Sequence, residues 1–168
     1  MMGTILRIPR TIRDTMRADL IRPHPFAAER IGFASARIGK GTNSPSIVML
    51  SEYHAVPDDQ YIDDPESGAR IDAPAIRAVM QRVLDSGDGA FHVHAHLHRG
   101  TPGLSRMDRD EIPRLVESFR AVGPNAGHGI LILSLDSCFS LVWTPGNQAP
   151  CVPVRIGVVG YPLTVLGG

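Results

Sequence analysis

Between Phe91 and His98 the chain reads Phe-His-Val-His-Ala-His-Leu-His, which sets His92, His94, His96 and His98 at alternate positions. On a β-strand, residues two apart point to one face, so the four imidazoles can form a row. Without a ligand, such a row crowds donors and acceptors that cannot easily satisfy one another. Neutral imidazole nitrogens are common ligands of zinc, and a catalytic zinc takes three protein ligands and keeps a fourth position for water. Downstream, Ser105-Arg-Met-Asp108 offers a carboxylate. Two of the histidines and Asp108 would complete such a set. Ser105 and Asp108 also have the spacing of a helix capping box. Pro113 argues against that use, because it lies too deep in a helix capped by Ser105 and suits one that starts near Asp108 or Asp110, leaving Ser105 free.

The elements that must position these residues are read from periodicity. Thr11 to Leu20 is predicted as a helix, with Ile8, Ile12, Met16 and Leu20 at helical spacing and Pro23 and Pro25 beyond its end. Glu29 to Ile38 and Ser46 to Val56 read as strands joined by a turn over Gly39 to Pro45. Asp58 to Asp72 is acidic, carries Pro65 and Gly68, and reads as a surface loop whose last residue caps the next helix. That helix, Ala73 to Leu84, carries Ile76, Val79, Met80 and Val83 on one stripe and stops at Ser86-Gly87. The histidine strand begins at Ala90. A third helix over Asp108 to Val122 presents Ile112, Leu115, Phe119 and Val122, and strands follow over His128 to Leu135, Phe139 to Trp143 and Val152 to Val159. Asp136-Ser137 reads as the turn between the first two of these. This order predicts an α/β (α+β) fold, one mixed sheet with helices packed on it, in a single domain over residues 1–168.

Composition narrows the function classes. Seventeen basic and seventeen acidic side chains cancel, so net charge does not advertise nucleic acid or an anionic membrane as a partner. Cys138 and Cys151 are too few for a disulfide framework, and neither has a histidine beside it in sequence, which argues against a thiol nucleophile. With no signal peptide and no apolar run of membrane length, the expected compartment is the cytoplasm. An amidohydrolase barrel needs roughly 250 residues, more than the 168 present. A metallo-β-lactamase-like site wants Asp before a third histidine, where Leu97 precedes His98, and a cupin wants a Glu shortly after the pair, where Arg, Gly, Thr and Pro follow.

The pattern that fits is an upstream Glu before a Gly-containing strand, then His-x-His, a short spacer and Ser-x-x-Asp. Glu29-Arg-Ile-Gly32, His94-Ala-His96 and Ser105-Arg-Met-Asp108 supply these pieces, with eight residues between His96 and Ser105. From about Ile5 to Trp143 the chain resembles the JAMM (MPN-plus, or Mov34/JAB) zinc metallopeptidases, and stand-alone bacterial JAB proteins in particular. It departs in having Leu97 where the family usually has Pro. His92/His94 leaves ten residues before Ser105 and also fits, whereas His96/His98 leaves six and does not. His94 is common to both acceptable frames. His94/His96 is preferred because its shorter loop needs less closure toward Asp108.

The resemblance implies a JAB/MPN-like, cytidine-deaminase-like architecture and one zinc ion per chain held by His94, His96 and Asp108. In this scheme Glu29 moves the proton between the attacking water and the leaving amine, and Ser105 donates a hydrogen bond to the developing oxyanion. The implied substrate is an amide or isopeptide bond after the C-terminal tail of a ubiquitin-like protein, with an E1-like activating system as a possible partner and no role for nucleic acid or membrane. Two other readings stay open. One is a non-catalytic MPN-like binding scaffold, with His92 or His98 closing a structural site. The other is a small-substrate zinc amidohydrolase.

Overall fold

A computed structural model describes residues 3–23, 27–39, 44–64, 68–160 and 164–166. The elements are β1 (Thr4–Pro9), α1 (Arg10–Leu20), β2 (Ile31–Gly39), β3 (Ser46–Ala55), a short 3-10 turn (Asp58–Gln60), β4 (Tyr61–Ile62), β5 (Arg70–Ile71), α2 (Ala73–Ser86), β6 (Gly89–Ala95), α3 (Arg106–Val122), β7 (His128–Leu133), β8 (Cys138–Trp143), β9 (Arg155–Val159) and β10 (Thr164–Leu166). Eight strands form one mixed sheet in the order β10-β9-β1-β3-β2-β6-β7-β8, and β4 pairs with β5 in a separate hairpin. The fold is therefore mixed α/β, with helices packed on both faces of the sheet.

Alternation decides which side chain meets which layer. On β6, Phe91 and Val93 join the cluster that holds Met16 and Leu20 of α1, together with Leu6, Val48 and Leu131. The intervening His92 and His94 are buried on the opposite face, the one covered by α2 and α3. There Ile31 and Phe33 of β2 pack with Val79 and Val83 of α2 and Phe119 of α3, while Ile112 and Val116 cover Ile130 and Ile132 of β7. β6, α3 and β7 form a parallel crossover, which delivers the end of the histidine strand to the start of α3.

Several expectations are corrected. Ile8 belongs to β1, whose alternating burial runs from Thr4 to Pro9, so the helical spacing continued backward across a strand end. The 58–72 segment holds the 3-10 turn and the β4–β5 hairpin, with its Pro65 outside the described residues. Most of the turn over Gly39 to Pro45 also lies outside them. α3 begins at Arg106 rather than Asp108, and Ser105 caps it in a complete capping box. Pro113 is tolerated inside this helix because it sits on the exposed face, where losing one helical hydrogen bond costs least. The expected cap at Asp72 is present, its Oδ1 accepting from Ala75 N–H at 2.9 Å, and α2 ends with Gly87 in the left-handed region at φ 72°. No helix among the described residues is long and apolar enough to cross a membrane.

A candidate metal centre

The centre lies where β6 ends, β2 begins and α3 starts. The β2–β6 ladder pairs Ile31 with His94. Just beyond the two strand ends, the Glu29 carboxylate faces His96 Nε2. Gly32 is required here: a Cβ at that position would lie 2.0 Å from the Tyr53 hydroxyl. That hydroxyl donates to Asp19 Oδ2 at 2.7 Å, so the phenol lies across the strand start and ties it to α1.

Glu29, Arg30 and Ile31 are each held in place. Glu29 N–H donates to Gly68 C=O at 2.8 Å. Arg30, 3% exposed, donates from Nε to Arg22 C=O at 3.0 Å, from Nη2 to Pro23 C=O at 2.9 Å and from Nη1 to Asp58 Oδ1 at 2.6 Å. Ile31 N–H donates to the Tyr61 hydroxyl at 2.8 Å, and that hydroxyl donates back to Ile31 C=O at 3.0 Å. Gly68 leaves room for the carboxylate, since a Cβ there would come 3.0 Å from Glu29 Oε2. Sequence reasoning missed Arg30, Tyr61 and Gly68. The Pro65 and Gly68 punctuation marked a loop but carried no sign of what the loop holds.

The row of imidazoles persists past the end of the strand. Ring centroids lie 5.3 Å apart for His92–His94, 5.0 Å for His94–His96 and 5.9 Å for His96–His98. His96 keeps its place because its N–H donates to Leu133 C=O at 2.8 Å. Within the row the roles differ. His94 Nε2 lies 3.2 Å from His96 Nε2 and 3.7 Å from Asp108 Oδ1, and His96 Nε2 lies 3.9 Å from Glu29 Oε1. One donor atom each from Glu29, His94 and His96 falls within 4.8 Å of the others, and this group could hold a metal ion. Asp108 borders it through His94. His92 is buried edge-on against Phe33, with centroids 5.7 Å apart, and its Nδ1, like that of His94, has no hydrogen-bond partner. His98 is exposed, and its ring Nδ1 lies 2.8 Å from Arg99 C=O. Neither belongs to the metal-holding group.

Asp108 and Ser105 serve the helix start as well. Asp108 Oδ2 accepts from Ser105 N–H at 2.8 Å, and Ser105 Oγ accepts from Asp108 N–H at 3.1 Å. The second bond uses a lone pair of the hydroxyl and leaves its hydrogen to be donated elsewhere.

Burial sets the charge states. It drives the pKa of His92 down to about 3, and the neighbouring His94 pushes the same way against Asp108. Burial likewise takes His94 down to about 4 against the pull of Asp108, so both rings are neutral at pH 7. The two carboxylates part company. Glu29 is raised by burial, with His96 opposing and Asp108 adding. At Asp108 burial also acts upward, but His94, the bonds to Ser105 and His92 together outweigh it and hold the carboxyl below its usual range.

A cleft of about 1070 Å³ opens onto the centre, with His92, His94, Glu29 and Asp108 in its lining. Its walls come from α2 (Ile76), the β5 end of the hairpin (Ile71) and the exposed side of α3 (Met107, Leu115). No family model matches this sequence, and no curated protein matches it significantly.

Proposed function

We propose that the chain is a zinc-dependent hydrolase of the JAMM/MPN-plus kind that cleaves an amide or isopeptide bond after the extended C-terminal tail of a ubiquitin-like protein. The observation that carries this reading is the convergence of Glu29, His94, His96 and Asp108 from three separate segments, with Glu29, His94 and Asp108 lining one cleft. A mixed sheet with one helix on one face and two on the other is compatible with a JAB/MPN-like architecture. Four donors set tetrahedrally about 2.0–2.1 Å from a zinc ion lie about 3.3 Å from one another. The His94–His96 and His94–Asp108 separations of 3.2 and 3.7 Å are close to that spacing, although the group whose donor atoms all lie within 4.8 Å of one another takes Glu29 rather than Asp108 as its third member. Two imidazoles and one carboxylate are also a donor set that zinc takes.

The division of labour follows from the environments of the two carboxylates. Asp108, held anionic, suits a ligand. Glu29, raised by burial, suits a group that accepts a proton and releases it again. His94, His96 and Asp108 would hold a zinc ion, whose chemistry there would be Lewis acidity toward a water molecule. Glu29 then takes the proton of the attacking water and returns it to the departing amine nitrogen. Ser105 directs its hydroxyl hydrogen at the oxygen that gains charge. An extended tail suits the cleft, because its apolar and polar lining can hold side chains while the backbone reaches the centre. The free Cys138 and Cys151 suit a reducing compartment such as the cytoplasm.

A second reading rests on the capping box: Ser105 and Asp108 are both accounted for by helix capping, as expected for a scaffold that retains the fold without hydrolysis. The test is hydrolysis by zinc-loaded protein of ubiquitin-like proteins fused or isopeptide-linked at their C-terminal tails, beside small C-terminal amides. Glu29→Gln should retain the metal and lose about 10²- to 10⁴-fold in rate. Turnover that survives a chelator, or no turnover of any fusion, would remove the proposal. Equal turnover of the small amides, with no gain from the attached protein, would move it to a small-substrate amidohydrolase.

A further inference from the structure

We propose that the face of the sheet formed by β9, β1 and β3, on the side away from α1, is a docking surface for an acidic amphipathic helix of a partner protein. Among the described residues, this half of the sheet is packed on one side only. Leu6, Ile8, Val48, Leu50, Ile156 and Val158 point into the core beneath α1. α2 and α3 pack over β6 and β7, further along the sheet. The strand order places β3 in the interior of the sheet, fourth of eight, yet its outward Ile47 and Met49 are each 41% exposed. An interior strand with two large apolar side chains open to water is a face that lacks its cover.

The register shows what surrounds them. Arg155 of β9, Ile5 of β1 and Ile47 of β3 are direct neighbours in one row. Gly157, Arg7, Met49 and Arg37, from β9 to β2, form the next. Gly157 lets the arginine lie along the sheet, since a Cβ there would come 2.9 Å from Arg7 Nη1. Arg37 is matched by Asp88, 3.2 Å away. Arg7 and Arg155 have no acidic partner among the described residues. The surface is thus an aliphatic centre of Ile5, Ile47 and Met49 with two guanidinium groups at its edge that no described carboxylate pairs, and these two rows contribute no carboxylate. Four strands spaced about 4.8 Å apart span about 14 Å, which accommodates one helix of about 10–12 Å diameter.

Charge selects the occupant. A second copy of the same face would bring Arg7 and Arg155 against their own kind. Single-stranded nucleic acid would satisfy the arginines but needs aromatic platforms for its bases, and these rows hold none. A helix with apolar residues at i, i+3, i+4 and i+7, flanked by Glu or Asp, meets both requirements. This surface stands apart from the metal centre, so the inference does not depend on the proposed hydrolysis.

The test uses a fluorescent synthetic helix of about 14 residues with leucines on one face flanked by glutamates, its counterpart with lysine for every glutamate, and an oligouridylate. The acidic helix should bind at least about ten-fold more tightly than the lysine helix, and less tightly as salt rises. Arg7→Glu/Arg155→Glu should reverse that preference, and Met49→Asp should abolish binding. Both must retain the wild-type circular dichroism and metal content. If the double variant does not fold, Met49→Asp, at an exposed position, decides the matter. Equal binding of both helices, acidic-helix binding unaffected by Met49→Asp, capture of the oligouridylate instead, or a protein dimeric through this face by sedimentation would each overturn the proposal.

Discussion

His94 is where the metal centre either stands or fails, because its Nε2 faces both His96 and Asp108. Purified protein should carry about one zinc per chain. His94→Ala should lose it while remaining folded, His96→Ala should lose it as well, and His92→Ala should keep it. Metal analysis of the folded variants checks this, and wild-type zinc in His94→Ala would defeat the whole assignment. Comparing Asp108→Asn with Glu29→Gln separates ligand from proton carrier, since the metal should leave with the first only. The same histidines set an acid limit on the metal-free protein. The unfolded chain takes up protons at His92 and His94 near pH 6.5, whereas the folded chain refuses them until about 3 and about 4. Unfolded protein therefore binds more protons in that window, and stability falls as pH drops from about 6.5 toward about 4. Two such protons are worth about 3 kcal/mol per pH unit at most. Glu29, raised in the fold, binds its proton earlier in the folded state and offsets part of the slope. Urea midpoints measured in chelator should follow this course. His92→Phe, which retains the ring contact with Phe33, should flatten the slope.

At the scale of elements, Ser105 bears two loads that one substitution can separate. Ser105→Ala removes the acceptor for Asp108 N–H and should destabilise the protein by about 1 kcal/mol, read from denaturant midpoints. If Ser105 also meets the oxyanion, activity should fall by more than this stability loss explains, whereas Ser105→Thr should recover the cap. The Ser105–Asp108 spacing itself carries the capping reading, and Pro113, which argues against it in the sequence, is harmless at its exposed position. The alternation of His92 and His94, the Asp72 cap and the Gly87 stop were all legible, because each rests on neighbours within a few residues. β1 was hidden because Ile8, Ile12, Met16 and Leu20 share helical spacing across Pro9. The place of Glu29 opposite His96 was not legible from the chain, since it depends on a ladder between strands about sixty residues apart. Only the motif resemblance brought Glu29 forward, and no motif pointed to the clamp made by Arg30 and Tyr61.

Across the whole molecule, the helices divide the sheet into two districts. α2 and α3 roof the β2–β6–β7 portion and enclose the cleft, while among the described residues no helix covers the outer face of β9, β1 and β3, which has Ile47 and Met49 at its centre. The centre draws on residues near position 29, on 94 to 96 and on 105 to 108, segments joined only when β2 has found β6 and the crossover through α3 is complete. Pairings so distant in sequence form slowly, because loop closure must precede any gain from contact. High-affinity metal uptake should therefore be a clock for the end of folding. In a refolding experiment, zinc capture followed by a competing dye should lag behind the far-ultraviolet helical signal and coincide with burial of Trp143. Zinc added at the start should slow subsequent unfolding more than it speeds folding.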